Sequence, residues 1–382
     1  MLRAGVLLLL ALTAPARAAV TTSGYLKDVW QTSYSALEDR PYVLNTARAR
    51  ATLEATGFFF KAHVDYDHEV LGGNYFRTRE YRLFGVSAPE TWLTMDQTIS
   101  TGDTVLWRHR LYRGWVGLET ERTTLRFGRQ RVAWGTGKLW NPTDILNAYN
   151  PMSVERDERH GVDAFYLRQG LGDLSQAELA YAPQDRWPAS ALLARGKTNW
   201  KGFDFALMGG KAAASTSSWI LGGDFAGSAG DSSLHGEWSY VELKTRAPYW
   251  KGLIGWEYTF PTDAKWRWLK DASLLAEYLH SGSGESDRRR YNLAAVLTGR
   301  EVTLAQDYGG LTYSQDVHPL LKLEIVSLSN LDDGSHFFGP SLQWNALDDL
   351  YLTVGFQRFG GSRSTEYGRQ PNLTYLQGQY FF

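Results

Sequence analysis

Between Phe58 and Val70 the chain alternates in character: Lys61, His63, Asp65, Asp67 and Glu69 fall on one parity, and Phe58, Phe60, Ala62, Val64, Tyr66, His68 and Val70 on the other. A β-strand has a side-chain period of two, so this stretch presents one ionisable face and one almost wholly apolar face. The segment before it repeats the pattern, with Thr46, Arg48, Arg50, Thr52 and Glu54 set against Ala47, Ala49, Ala51, Leu53 and Ala55. Three kinds of chemistry use such residues. A histidine among carboxylates suits acid–base work, three carboxylates suit a hard cation, and a face of mixed charge suits a water-filled conduit. The first two meet a spacing limit, because same-face neighbours two apart stand about 7 Å from each other, while a base and its orienting group need about 2.6–3.2 Å. No Gly-x-Ser-x-Gly nucleophile motif occurs. The chain has no cysteine, which removes thiolate metal sites, cysteine nucleophiles and disulfides together. Neither a metal nor a cofactor is expected, and the conduit is the reading that remains.

A second concentration of charge is Arg108, Arg110, Arg113, Arg126, Arg129 and Arg131, on two strands joined by a tight turn around Glu119 to Arg122. Ionisable residues at membrane depth survive only where they face water or each other. The residues expected to line a pore and set its selectivity are therefore Arg48, Arg50, Lys61, His63, Asp65, Asp67, Arg108, Arg110, Arg126 and Gln130. Rings of arginine favour anions, and cross-strand pairing with acids is the other use of the same charges. The alternation is imperfect here. Arg126 shares a parity with Gly128 and Gln130, whereas Arg129 and Arg131 share theirs with Leu125 and Phe127, so either a bulge shifts the register or the last two arginines sit near the outer rim.

The third feature is the loop from Trp134 to Gly161, with Trp134, Lys138, Trp140, Asn141, Asp144 and Asn147 as the residues expected to matter. Asn141-Pro142 can serve as N-cap and first helical residue, which predicts a short helix from Pro142 to about Asn147. A 28-residue loop with an ordered element of its own is usually functional or folded inward. The expectation is that it dips into the lumen and narrows it.

These groups need elements to hold them. Thr56-Gly57 reads as a two-residue hairpin turn, which would set Ala55 opposite Phe58, Thr52 opposite Lys61, Arg50 opposite His63 and Arg48 opposite Asp65; the two polar faces then coincide. Comparable alternation recurs at 203–207, 250–260, 321–325 and 352–357. Connections fall into tight turns (Glu119 to Arg122, Gly170 to Asp173, Val317 to Pro319, Leu347 to Leu350) and long loops (Leu71 to Asp103, Trp134 to Gly161, Ser281 to Val302), the asymmetry of a membrane barrel. Aromatics make up 14% of the chain, including 15 Trp and 21 Tyr, yet the mean hydropathy is −0.35. A lipid-facing surface around a wet lumen reconciles the two. The fold class expected is all-β: a transmembrane antiparallel β-barrel of about 18 strands, with 16 as the alternative count, and the inward loop carrying its short helix.

The ends agree with this. Met1-Leu2-Arg3, the apolar run Ala4 to Ala14 and Ala16-Arg17-Ala18 form a secretory signal cut after Ala18, leaving residues 19–382 as a single barrel domain. The apolar run is shorter than the roughly 20 residues that span a bilayer. Loss of Arg3 and Arg17 takes the formal charge from −1 to about −3, which leaves no nucleic-acid footprint. The chain stops at Tyr380-Phe381-Phe382, with Phe382 and Tyr380 on one face; this looks like the final strand of bacterial outer-membrane proteins, read by the barrel-assembly machinery.

One stretch carries a family resemblance. Arg126-Phe127-Gly128-Arg129-Gln130, then Trp134-Gly135, then Asn141-Pro142-Thr143-Asp144, resembles a motif of alginate-export-type porins. The resemblance implies an outer-membrane porin with arginine in its pore. This chain departs by its acidic strand (Asp65, Asp67, Glu69) and near-neutral charge, which bears against export of a polyanion. The partners expected are the outer-membrane bilayer of a Gram-negative bacterium, periplasmic chaperones and the barrel-assembly machinery, and a small polar or anionic solute; oligomeric state is left open. The readings set beside a porin are an exporter of anionic polysaccharide, a structural sleeve around a periplasmic partner, and a hydrolase sited at the rim.

Overall fold

A computed structural model describes residues 19–85, 91–147, 150–156, 158–212, 218–244, 246–291 and 303–382. The expected signal segment, 1–18, lies outside them. The strands are β1 (Ala19–Tyr34), β2 (Pro41–Thr56), β3 (Phe60–Gly72), β4 (Asp96–Thr101), β5 (Val105–Glu119), β6 (Thr123–Gln130), β7 (Val162–Gly170), β8 (Gln176–Ala182), β9 (Ala191–Trp200) and β10 (Phe203–Ala212). They continue as β11 (Ser218–Ala229), β12 (Ser232–Leu243), β13 (Arg246–Thr259), β14 (Ser273–Ser281), β15 (Asp307–His318), β16 (Leu321–Asn330), β17 (His336–Leu347), β18 (Leu350–Gly360) and β19 (Leu373–Phe381). Each pairs antiparallel with its neighbours, and β1 closes the ring by pairing with both β2 and β19.

Eighteen of these strands make the wall, as the alternation predicts. The extra one is β4. Strand β3 pairs directly with β5, while β6 covers β5 only from Gly114 to Glu119. That leaves the other half of the β5 edge open, and β4 fills it by pairing across Leu106 to Arg110, which removes an unpaired edge. Closure gives every wall strand a hydrogen-bonded partner on both sides, the condition for crossing lipid. The outward parity carries Trp30, Leu207, Leu221, Ile254, Leu311 and Leu376, each more than half exposed, as a lipid-facing belt requires.

The register at the first hairpin differs from the sequence expectation. Thr56 pairs with Lys61, Thr52 with Asp65, Arg50 with Asp67 and Arg48 with Glu69, so four residues form the turn, closed by Gly57 N–H on the Phe60 carbonyl at 2.8 Å. The displacement is even and leaves both faces intact. Its gain is electrostatic: each arginine now faces a carboxylate. Phe58 and Phe59 are left exposed at the turn tip.

Strand β5 carries a bulge. Asp65 pairs with Arg113 but Tyr66 with Leu111, so Tyr112 is the extra residue, and Arg108, Arg110 and Arg113 all reach the charged face of β3 despite their mixed parity. The imperfect alternation at 126–131 has a different origin. The β5–β6 register runs unbroken through Arg129, and Gly128 adopts φ +123°. Arg129 therefore stays on the outward parity, where Asp163 pairs with it and the segment leading into β4 covers it. Among the tight turns one exception occurs: residues 260–272 between β13 and β14, with Trp266 and Trp268 stacked at 5.6 Å.

Candidate functional site

Residues 131–161 leave β6 and cross the lumen before returning to β7. The helix expected over 142–147 does not form: Pro142 and Thr143 make a turn and no helix follows. Asn141 does cap, accepting the Asp144 N–H at 3.0 Å and the Thr143 hydroxyl at 3.3 Å. The Thr143 N–H, which a helical first turn would leave free, goes instead to Glu237 on β12 at 3.0 Å. Asn147 ties the two limbs of the loop together. Its Oδ1 accepts from Val132 N–H at 2.8 Å and its Nδ2 donates to the His160 carbonyl.

The first limb is seated on carboxylates of the wall. Glu237 accepts the Thr136 N–H at 2.6 Å, the Gly137 N–H, and both the N–H and hydroxyl of Thr143. Glu277 on β14 accepts the N–H groups of Lys138, Leu139 and Trp140 at 2.7, 2.9 and 3.3 Å and bonds His235 Nε2 at 2.8 Å. Trp134 donates its indole N–H to Glu178 at 2.7 Å, and Lys138 pairs with Glu257. Apolar contact does the rest. Trp134 joins Ala164, Ala180, Leu193 and Met208, while Leu139 and Trp140 join Leu253, Leu279, Tyr308 and Phe337. Burying each such side chain contributes roughly 1.5–3 kcal/mol.

The second limb is held by ions of the opposite sense. Glu155 meets Arg48 Nη1 at 2.7 Å and Lys27 at 3.3 Å. Glu158 meets the Tyr25 hydroxyl at 2.5 Å, Arg50 Nη1 at 3.0 Å and Lys27 at 3.3 Å. Arg156 pairs with Glu324 on β16 at 2.5 Å, and Gln357 on β18 donates to the Met152 carbonyl at 2.8 Å. Burial alone would raise the Glu158 carboxyl, but Arg50, Lys27 and Arg48 hold it well below the usual carboxylate range. Two further loop groups are displaced by burial. Asp144 is pushed up to about 7, with Arg159 and Arg131 pulling the other way, and His160 is pushed down to about 4, with Arg110 adding to the effect.

The structure brings most of the sequence-predicted lumen residues into one network and seals much of it from water. Arg50 makes a two-pronged bond to Asp67 at 2.6 and 2.7 Å and stacks on Tyr112 at 3.7 Å. Arg48, Arg108 and Arg110 converge on Glu69 at 2.7, 2.7 and 2.9 Å. Asp67 and Glu69 are fully buried. Nearer the tight turns, Lys61 and Arg126 share Glu119 at 2.6 and 2.8 Å. Gln130 stands apart: it is 1% exposed with its amide on the Ala164 carbonyl at 3.0 Å. Arg129 pairs with Asp163 at 3.0 Å and donates to the Leu93 and Leu111 carbonyls.

The 7 Å spacing argument for His63 and Asp65 gives way to side-chain reach: His63 Nε2 lies 3.0 Å from Asp65, and Nδ1 3.0 Å from Glu54. Both imidazole nitrogens thus face carboxylates, and neither is paired with a hydroxyl nucleophile. Residues that sequence reasoning did not single out include Tyr25, Lys27, Tyr112, Glu155, Glu158, Glu237 and Glu277. Only the acidic and basic run at 155–158 carried a visible signal. On the tight-turn side of the loop an open cavity of about 940 Å³ remains, lined by Lys27, Lys138, Arg156 and Lys322 and by Glu155, Glu158, Glu257, Glu324, Asp348 and Asp349 among others.

No protein-family model matches the sequence and no curated protein matches it. Solved structures do match the fold. Acinetobacter baumannii OccAB1 superposes with a TM-score of 0.57 at 12% identity, over 95% of this chain and 96% of that one. Pseudomonas aeruginosa OccK5 (OpdH) gives 0.58 at 9%, over 95% and 98%, and P. aeruginosa OpdK, solved with vanillate, gives 0.55 at 11%, over 95% and 98%. The fold is that of the outer-membrane porin barrels on which it superposes, and it carries the apolar outer belt that a barrel in lipid requires.

Proposed function

We propose that this protein is a channel passing small polar or anionic solutes across the outer membrane, with residues 131–161 as its constriction. The observation that carries this reading is the loop's path through the lumen. It is bonded to the walls on several sides, and the space left beside it is open, about 940 Å³ in volume and lined by both signs of charge. The cations that line that space are Lys27, Lys138, Arg156 and Lys322, while Arg48, Arg50 and Arg110 of β2 and β5 lie buried. Most of their charge is balanced by Asp67, Glu69, Glu155 and Glu158, so anion preference rests on the small surplus and on mobile solutes, not on an open arginine ring.

Only the barrel class agrees with the resemblance to alginate-export-type porins, and no family model supports the 126–144 motif; a conduit for a polysaccharide needs an open lumen, and here the loop crosses it. The same filling argues against a sleeve around a protein partner. A rim hydrolase finds no support at His63, whose two nitrogens both face carboxylates. The test is conductance in planar bilayers. Purified protein is expected to give ion current, and a variant lacking residues 136–158 a larger one. Folded barrels that pass no current with or without the loop would refute the channel reading.

A further inference from the structure

Glu155 and Glu158 sit in a socket built wholly by the wall. Tyr25 and Lys27 come from β1 and Arg48 and Arg50 from β2. One carboxylate, Glu158, receives the Tyr25 hydroxyl at 2.5 Å, Arg50 Nη1 at 3.0 Å and Lys27 at 3.3 Å, with Arg48 Nη1 at 3.5 Å. The other, Glu155, is gripped by both Nη atoms of Arg48 at 2.7 and 3.2 Å, with Lys27 again at 3.3 Å. Forked guanidinium donors, a lysine and a phenol converging from two adjacent strands are what recognises a carboxylate or phosphate. The socket is fixed from behind: Arg50 is clamped to Asp67 and stacked on Tyr112.

The charge count points the same way. Lys27, Arg48, Arg50, Arg108 and Arg110 are five wall cations in one network, and the wall carboxylates within ion-pair distance of them are Asp67 and Glu69, with Asp65 turned to His63 and Thr52. The loop supplies the other two. Lys27 and Arg48 have only 6% of their side chains exposed. Lifting the limb without a replacement would strand nearly buried cations, and breaking such pairs is strongly unfavourable. Lifting it while a second pair of carboxylates takes its place exchanges like for like.

We propose that Glu155 and Glu158 are a tethered counter-anion pair occupying a solute site on β1 and β2, and that a small dicarboxylate entering the lumen displaces them and widens the passage. This rests on the channel reading, since the solute arrives through the lumen. A limb on a short tether competes at an effective concentration in the millimolar range, so displacement is expected at roughly 1–10 mM solute.

The experiment uses the full chain in planar bilayers, with succinate replacing chloride at constant ionic strength. Wild type is expected to change its open-channel current with succinate over that range. In the double variant Glu155→Gln, Glu158→Gln the passage is expected to be wider without succinate. Removing two charges near the ion path should raise the anion-to-cation permeability ratio about fivefold after screening, and succinate should now reduce chloride current by filling the vacated socket. A double variant with wild-type current and permeability ratio, or with the wild-type response to succinate, overturns the proposal. Should the variant fail to assemble, the wild-type titration decides: a current that depends only on ionic strength overturns it. Conduction insensitive to succinate sinks this proposal alone, whereas absence of any current from wild type and from the 136–158 deletion sinks the channel reading.

Discussion

Removing the Glu277 carboxylate should free the first limb of the loop and leave the barrel standing. In Glu277→Ala three loop N–H groups, those of Lys138, Leu139 and Trp140, lose their acceptor in a region where Leu139 and Trp140 are almost fully buried. A buried donor left without a partner costs about 1–3 kcal/mol. Water can enter the space the side chain vacates and relieve part of this, so roughly 3–6 kcal/mol against the seated limb is expected. That matches the gain from burying Leu139 and Trp140, about 1.5–3 kcal/mol each, so the seat should become marginal. None of this touches the strand ladder, and heat-modifiable mobility on gels should stay that of a folded barrel. Single-channel recording is the assay: wild type should hold a steady open level, and Glu277→Ala should move between levels with a higher mean current. Glu277→Gln keeps one acceptor oxygen and should fall between. Glu257→Gln, which removes only the charge paired with the half-exposed Lys138, should cost under about 1 kcal/mol and serve as the control. A folded Glu277→Ala barrel with wild-type current and noise would refute the idea that this carboxylate seats the loop.

Two loop groups predict opposing pH responses. The Asp144 carboxyl has its pKa raised by burial to about 7, so its contribution to loop seating is complete below the ordinary carboxylate pKa of about 3.9 and is lost as pH rises through 7. The His160 imidazole has its pKa lowered by burial to about 4, so its contribution is present above the ordinary pKa of about 6.5 and is lost as pH falls through 4. The two should largely offset between pH 4 and 6.5. Asp144→Asn should therefore give a channel that becomes noisier towards pH 4, and His160→Gln one that becomes noisier towards pH 7; a flat or identical pH profile for both would contradict this. Gly128→Ala places a methyl carbon 2.3 Å from the Gly114 carbonyl oxygen at φ +123°, a strained position for any residue with a Cβ. Its folded-barrel yield in urea titration should fall, by roughly 2–4 kcal/mol, and an unchanged midpoint would show that β6 can relax there.

Faces were legible in the sequence and partners were not, and the first hairpin shows why. Parity places Arg48, Arg50, Asp65 and Asp67 on one side whatever the turn length, because any even displacement preserves it. Which acid meets which arginine depends on the turn, and the turn is closed by Gly57 on Phe60 instead of by Ala55 opposite Phe58. Opposite charge alone does not choose the register, since Arg48 meets a carboxylate whether it faces Asp65, Asp67 or Glu69; in the structure it faces Glu69. The loop behaved similarly. Its length announced an inward path, but the helix at 142–147 was a local inference defeated by distant partners, since Thr143 gives its N–H to Glu237, 94 positions away. Glu237 and Glu277 look like any polar residue of an alternating strand, and only the closed barrel shows that they meet the loop.

The two limbs of the loop are held by inverse arrangements, and this separates their roles. In the first limb the carboxylates belong to the wall and the donors to the loop backbone. A dissolved anion has nothing to replace there, and a dissolved cation cannot reach the acceptors Glu237 and Glu277, which are buried beneath the limb. At Glu155 and Glu158 in the second limb the cations belong to the wall and the carboxylates to the loop, with Arg156 on Glu324 of the wall as the reverse case. A dissolved anion offers the wall the same bonds that Glu155 and Glu158 make, so this contact alone is exchangeable at little electrostatic cost. Asn147 joins the limbs through Val132 and His160, which confines any displacement to the stretch beyond it. In the channel we propose, the first limb is thus the fixed sill that sets the size of what passes, and the second the movable edge on which the charge of the solute is read.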